Sequence, residues 1–305
     1  MSLCWLCPGQ GSQTPELLAR LADDTSLARA LAPLRDTLPA ATLEAADDPQ
    51  HCFDNRHAQP LIVLHACTVA AALADAGVRP AVVAGYSVGE LSAHAVAGAL
   101  APETAIALAV ERAAAMDAAA PPDSGMSAVR GVPLARLREQ CEAAGCAVAI
   151  VNAADHAVLA GPRAALEQLG AQLTAGGAHV VPLDIGVPAH AHWLAAAVAP
   201  FARALDAADW QAHAVPVPRG LDGRLVRSRA AAVEALSRAL AEPLDWARTL
   251  DVAREMGATI FFELGPGDGL ARMARERFPD LAVRALADFA SLEGAAKWLA
   301  RERNR

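Results

Sequence analysis

The chain has 305 residues, 54% of them hydrophobic and 20% charged, and a formal net charge of −8. That length and apolar content support one large domain, or a domain carrying an insertion, with a substantial core, and they exclude a disordered chain. The negative balance argues against a nucleic-acid-binding surface, and at 4% aromatic content the core must be built from Ala, Leu and Val.

Leu3 to Cys7 reads as a first strand, followed by the loop Pro8-Gly9-Gln10-Gly11-Ser12-Gln13, whose main-chain N–H groups can turn toward a ligand. The N-terminal segment has no basic region and too short an apolar run for a secretory signal, and no stretch, including the best candidate at 93–110, holds the roughly 18 uninterrupted apolar residues of a membrane span. A cytoplasmic protein with no membrane association is therefore expected. The six cysteines are scattered through apolar segments. Cys4 and Cys7 have C-x-x-C spacing inside a strand with no second pair nearby, so buried, reduced thiols are expected in place of a metal or redox site.

Glu16 to Leu38 has the leucine spacing of a helix, and Glu44 to Gln59 is polar. Pro60 opens a further helix with Leu61, Leu64, Val69 and Leu73 on its apolar face. The run Val82-Val83-Ala84-Gly85-Tyr86-Ser87-Val88-Gly89-Glu90 then sets a G-x-S-x-G motif between a strand and a helix. Glycines allow strand and helix to pass closely, and the serine is presented at a helix N-terminus, where free N–H groups favour developing negative charge. Pro102 starts the next helix; Arg112 on it reads, by itself, as a solvated side chain on a face that borders a cleft.

From Gly125 the pattern changes to strand (126–132), helix (133–144), two short strands (147–151 and 158–160), helix (162–175) and strand (179–185). This βαββαβ order is the split ferredoxin-like plan. The expected fold is thus α/β, with residues 125–186 forming a small ferredoxin-like domain inserted into a large domain of residues 1–124 and 187–305. In the return leg come Val187-Pro188-Ala189-His190, a helix through Phe201, a candidate strand at 214–217, Pro243-Leu244-Asp245-Trp246, and a strand ending in Glu263-Leu264-Gly265-Pro266-Gly267. His190 and His192 lack a third ligand at metal-binding spacing, so no metal is expected.

Taken together, six segments resemble the malonyl-CoA:acyl-carrier-protein transacylase family: the Pro8–Gln13 loop, Gly85–Glu90, Arg112 with Met116, Val187–His190, Pro243–Trp246 and Glu263–Gly267. They span nearly the whole chain in a fixed order. The resemblance implies an α/β-hydrolase-like core with a parallel sheet and a ferredoxin-like insertion. It implies Ser87 as nucleophile, His190 as its general base, and Gln10 and Val88 as the oxyanion N–H donors. It further implies that Arg112 grips a malonyl carboxylate, that Asn152 and Tyr86 border the substrate, and that a backbone carbonyl orients the histidine. No cofactor is expected to be bound; coenzyme A thioesters and a phosphopantetheine-bearing acyl carrier protein are the implied substrates and partner.

The sequence departs from the family pattern at Tyr86, where His is common, at Ala189, where Ser is common, and at Asn152-Ala153-Ala154-Asp155-His156, which replaces Asn-x-Pro-x-Gln. A finer resemblance is to the epsilon subunit of malonate decarboxylase, carried by Leu6-Cys7, by the tyrosine of Gly85–Glu90 and by the tail from Asp288-Phe289 to Trp298-Leu299. The alternatives are a transacylase of fatty-acid or polyketide synthesis, a serine esterase or thioesterase using Asp155 or Asp184 as triad acid, and a non-catalytic carrier-docking subunit. Arg272, Arg275 and Arg277 offer a candidate basic patch for an acidic carrier.

Overall fold

The computed structural model describes residues 1–304. The chain begins with β1 (Ser2–Cys7), α1 (Leu17–Asp23), α2 (Thr25–Arg35), α3 (Ala40–Ala45), α4 (Asn55–Asp75), β2 (Val82–Gly85), α5 (Gly89–Val96) and α6 (Pro102–Ala119). It continues through β3 (Ser124–Arg130), α7 (Leu134–Ala144), β4 (Ala147–Ala153), β5 (His156–Pro162), α8 (Arg163–Ala175) and β6 (His179–Leu183). It returns by α9 (Ala195–Ala207), α10 (Arg229–Arg238), β7 (Leu244–Asp245), α11 (Trp246–Glu255), β8 (Ala258–Glu263), α12 (Gly269–Arg277), β9 (Ala282–Ala285) and α13 (Leu292–Arg303).

Strands β2, β1, β8 and β9 form one sheet in that order, every pairing parallel. Leu3 to Cys7 and Ile260 to Phe262 are buried, as strands covered by helices on both faces must be. The second sheet runs β6-β3-β5-β4-β7, antiparallel except where β7 joins β4. Helices α7 and α8 cover it through Leu137, Cys141, Leu166, Leu169 and Leu173. The α/β fold and the βαββαβ order of the inserted segment are those the element pattern predicts, and the parallel sheet is the one the family resemblance implies. One strand, β7, comes from outside the 125–186 segment: Leu244 and Asp245 pair with Ile150 and Val151 and tie the two sheets together.

Several local expectations are corrected. The helix expected over 16–38 breaks at Asp24, which is extended and caps α2 by accepting from the Ser26 and Leu27 N–H groups; a satisfied N-cap outweighs helical continuity there. Pro60 does not open its helix but lies inside α4. As a proline it gives no N–H to the carbonyl four residues back, yet the turn ahead of it is held by bonds from the Asn55 and Gln59 side chains. Residues 214–217 form no strand. Val83 donates to the Pro216 carbonyl at 3.1 Å, but Pro216 and Pro218 cannot return ladder bonds. Strand β9 and helix α13 add to the predicted elements.

Among the described residues α4 alone is long and apolar enough to cross a membrane, and 83% of that apolar window is buried in the protein. It is the central core helix. The 93–110 stretch is divided between α5 and α6. All six cysteines are free and buried.

Candidate active site

The turn between β2 and α5 is set by what lies against its glycines. A Cβ on Gly85 would sit 2.4 Å from the Glu90 main chain, and one on Gly89 would sit 2.3 Å from the Cys7 carbonyl. Only hydrogen fits at either position. Tyr86 donates to the Cys7 carbonyl at 3.0 Å, which carries the β1 pairing one residue past the strand. Ser87 then takes φ 57, one of three non-glycine residues with positive φ among those described; His190, at φ 61, is another. Such backbone costs free energy of order 1–3 kcal/mol and persists where surrounding structure holds it. Here the two strained residues face each other.

His190 Nε2 lies 2.8 Å from Ser87 Oγ, and its Nδ1 lies 2.5 Å from the carbonyl oxygen of Ala239. That carbonyl can only accept, so Nδ1 carries the proton and Nε2 is free to take one from the hydroxyl. The main-chain N–H of His190 donates to Leu240 at 2.9 Å, which locks the residue to the same segment. The imidazole is buried. Burial, then the nearby Arg112 charge, pushes its pKa down to about 3 against a smaller upward pull from Ala239. Asp155 and Asp184 are exposed, and the Ala239 carbonyl occupies the place a triad acid would take.

Arg112 is only 4% exposed, so the solvated reading of this residue is corrected. One terminal nitrogen donates to Gln59 Oε1 at 2.7 Å and the other reaches Ser87 Oγ at 3.4 Å. No ion pair among the described residues includes it. Burial lowers its pKa to about 10, while the charge of Glu90 raises it. Glu90 is spent elsewhere: its Oε2 accepts from the Gly220 N–H at 3.1 Å, and burial pushes its pKa up to about 7. A desolvated guanidinium with only neutral partners is an anion-binding group.

Gln59 and Asn55, which lie in a stretch that reads only as polar, belong to the site. Gln59 Nε2 donates to Asn55 Oδ1 at 2.5 Å and Asn55 Nδ2 donates to Asp117 Oδ1 at 2.9 Å. Their i, i+4 spacing ahead of an apolar helix was the available signal. Gln10 and Val88 both line the cavity with Ser87. The Gln10 side chain donates to the Phe53 carbonyl at 3.1 Å and anchors its loop. The neighbouring N–H groups of Gly11, Gly89, Glu90 and Leu91 are committed within the turns, and those of Gln10 and Val88 are not among these donors.

Gln10, Gln59, Ser87, Arg112 and His190 supply the polar lining of one cavity. Its apolar lining includes Met126, Ile150, Val158 and Leu183 of the inserted sheet. Tyr86 also lines it; Asn152 does not, because its carboxamide is bonded to Tyr86 at 3.2 Å. His192 stacks on Trp193 with centroids 4.0 Å apart and does not join His190. No group of three or more His, Cys, Asp or Glu among the described residues could hold a metal ion. Arg272, Arg275 and Arg277 are each paired, with Asp268, Asp288 and Asp251, so they do not form a free basic patch.

A family described as "Acyl transferase domain" matches residues 4–279. The chain is 32% identical to the malonyl CoA-acyl carrier protein transacylase of Salmonella typhimurium, covering 94% of this chain and 96% of that one. Among solved structures it is similar to an acyl-carrier-protein S-malonyltransferase from Burkholderia pseudomallei 1710b, with TM-score 0.89, 30% identity and coverage of 97% of this chain and 100% of that chain. It is also similar, at TM-score 0.90 and 26% identity over 97% of this chain and 99% of that one, to a malonyl-transacylase solved in complex with a type II PKS acyl-carrier protein.

Proposed function

The chain belongs to the acyl transferase domain family, and from that premise we propose that it moves a malonyl group from malonyl-CoA to the phosphopantetheine thiol of an acyl carrier protein. In this reading Ser87 Oγ attacks the thioester carbonyl while His190 Nε2 takes its proton. The main-chain N–H groups of Gln10 and Val88 stabilise the tetrahedral oxyanion, each such donor contributing about 3–4 kcal/mol. The C–S bond breaks, the coenzyme A sulfur leaves with the proton held by His190, and a malonyl ester remains on Ser87. The carrier thiol then reverses these steps. Tyr86 borders the acyl group, and the chain divides into 1–124 with 187–305 and an inserted 125–186.

The observation that supports the malonyl reading most is Arg112, a buried cation that lacks a carboxylate partner and reaches Ser87 Oγ at 3.4 Å. A planar guanidinium there can donate two parallel bonds to a carboxylate carried on the acyl chain. Intact-mass measurement after mixing with malonyl-CoA tests it: a malonyl adduct is expected on the wild type and none on Ser87→Ala. An identical adduct on the variant would exclude Ser87 as nucleophile.

The finer proposal is that the protein is the epsilon subunit of a malonate decarboxylase, acting in the cytoplasm. It is supported by Tyr86 in the nucleophile motif and by the tail, where Phe289 and Trp298 pack on Phe262 of β8 with centroids 6.2 and 6.3 Å away. The measurement is kcat/KM for transfer to a malonate decarboxylase carrier against a fatty-acid-synthesis carrier. Preference for the second would assign the protein to fatty-acid synthesis instead.

A further inference from the structure

Tyr86 is the only tyrosine in the chain, and it joins the nucleophile turn to the inserted sheet. Its hydroxyl donates to Asn152 Oδ1 at 3.2 Å, and Asn152 Nδ2 lies 3.3 Å from His156 Nε2. The carboxamide is thus engaged at both ends, with His156 accepting at Nε2. On its other side Tyr86 is held edge-on by Trp246, at 5.2 Å and 82°. His156 pairs in register with Arg130 of β3, whose guanidinium makes two 3.1 Å bonds to Glu276 of α12. The inserted sheet is therefore tied to the nucleophile turn on one side of His156 and to α12 on the other.

What the tie fixes is the apolar wall of the cavity. Ile150 stands two residues before Asn152 on β4, both are buried, and Ile150 pairs with Val158. Ile150 and Val158 line the same cavity as Ser87 and Arg112. A malonyl group held by its ester carbonyl at Ser87 and its carboxylate at Arg112 has its central carbon pinned between them. Any substituent on that carbon must press on a neighbouring wall. A wall carried by a separate sheet can retreat unless it is tethered.

We infer that Tyr86, Asn152 and His156 form a clasp that sets the width of the acyl cavity and thereby selects malonyl over α-substituted malonyl groups. This inference rests on the malonyl-transfer reading. The three are positioning residues, acting through Ile150 and Val158. The departures from the family pattern at positions 86 and 156 become one device, since the phenol and the imidazole are the two ends that hold the same carboxamide.

The test is the ratio of kcat/KM for acylation of Ser87 by malonyl-CoA and by methylmalonyl-CoA. A single methyl in an apolar pocket typically changes such ratios by roughly 10- to 200-fold. Tyr86→Phe keeps the ring and removes the donor, and it should lower the malonyl preference about tenfold, mainly through faster reaction of methylmalonyl-CoA. Asn152→Ala should give a similar shift, and the double variant no larger one, because both open the same clasp. His156→Gln retains an acceptor for Asn152 Nδ2 and should keep the wild-type ratio, whereas His156→Leu should shift it. An unchanged ratio in Tyr86→Phe, or shifts that add in the double variant, overturns the clasp. A wild-type enzyme that forms no malonyl adduct overturns the underlying malonyl-transfer reading, and the two failures are read separately.

Discussion

The Nδ1–H of His190 donates to the carbonyl of Ala239 at 2.5 Å, so a neutral main-chain dipole orients the imidazole that faces Ser87. A carbonyl fixes the tautomer as well as a carboxylate does, but it does less to stabilise a positive ring. With Arg112 also nearby, the free enzyme keeps His190 neutral.

That gives a pH prediction. The folded pKa of His190, about 3, lies below its ordinary 6.5, so the base stays unprotonated as pH falls through neutrality. Single-turnover acylation by malonyl-CoA is expected to show no His-type limb near pH 6.5, holding its rate down to roughly pH 5. A twofold or greater loss of kcat/KM centred at that pH would contradict the assignment of the base.

Arg112→Ala should reduce kcat/KM for malonyl-CoA by about 10²–10³-fold, because truncating one member of a buried charged contact typically costs about 2–5 kcal/mol. Acetyl-CoA, which has no carboxylate, should lose far less. Equal losses would remove the carboxylate-binding role. Gln59→Leu should act in the same direction and more weakly, about tenfold and mainly in KM, since Gln59 Oε1 holds the guanidinium at 2.7 Å.

Glu263 links stability to pH. Its Oε2 accepts from the Ala271 N–H at 2.8 Å, and burial pushes its pKa up to about 8 from 4.5. Between those values the folded chain holds a proton that the unfolded chain releases, so stability falls as pH rises. Glu263→Gln keeps the acceptor and should flatten the decline in Tm between pH 5 and 8. An unchanged slope would show that the carboxyl is already ionised in the fold.

The paired arginines of α12 carry a prediction about the carrier. Arg272 is bonded to Asp268, and exposed pairs of this kind contribute about 0–1 kcal/mol. Arg272→Glu should leave both the fold and the carrier KM within about twofold of wild type. A large rise in carrier KM with unchanged malonyl-CoA kinetics would return this helix to the docking surface.

Much of the fold is legible from local pattern. The βαββαβ order of the insertion follows from alternating apolar strands and leucine-spaced helices, and Gly85 and Gly89 announce the turn at Ser87. Elements set by partners distant in sequence are not legible. Strand β7 is two residues long and exists because β4 offers it an edge. Asp24 interrupts a leucine pattern that runs on without it. Gln59 looks like one more polar residue until α4 and α6 are packed together, which brings it to Arg112 across 53 positions.

By itself the sequence determined which chemical groups are available and the local frames that present them: a serine on a glycine-bounded turn, a histidine after a proline, an arginine on a helix. Those frames depend on backbone conformation and on short-range spacing, which neighbouring residues dictate. Only the tertiary structure decided what the groups are to one another. It buried Arg112 without an ion-pair partner, gave His190 a carbonyl in place of an acid, and turned the Asn152 carboxamide toward Tyr86. Burial and hydrogen-bond partnership arise between segments that meet only when the chain is packed, so no local reading of the sequence contains them.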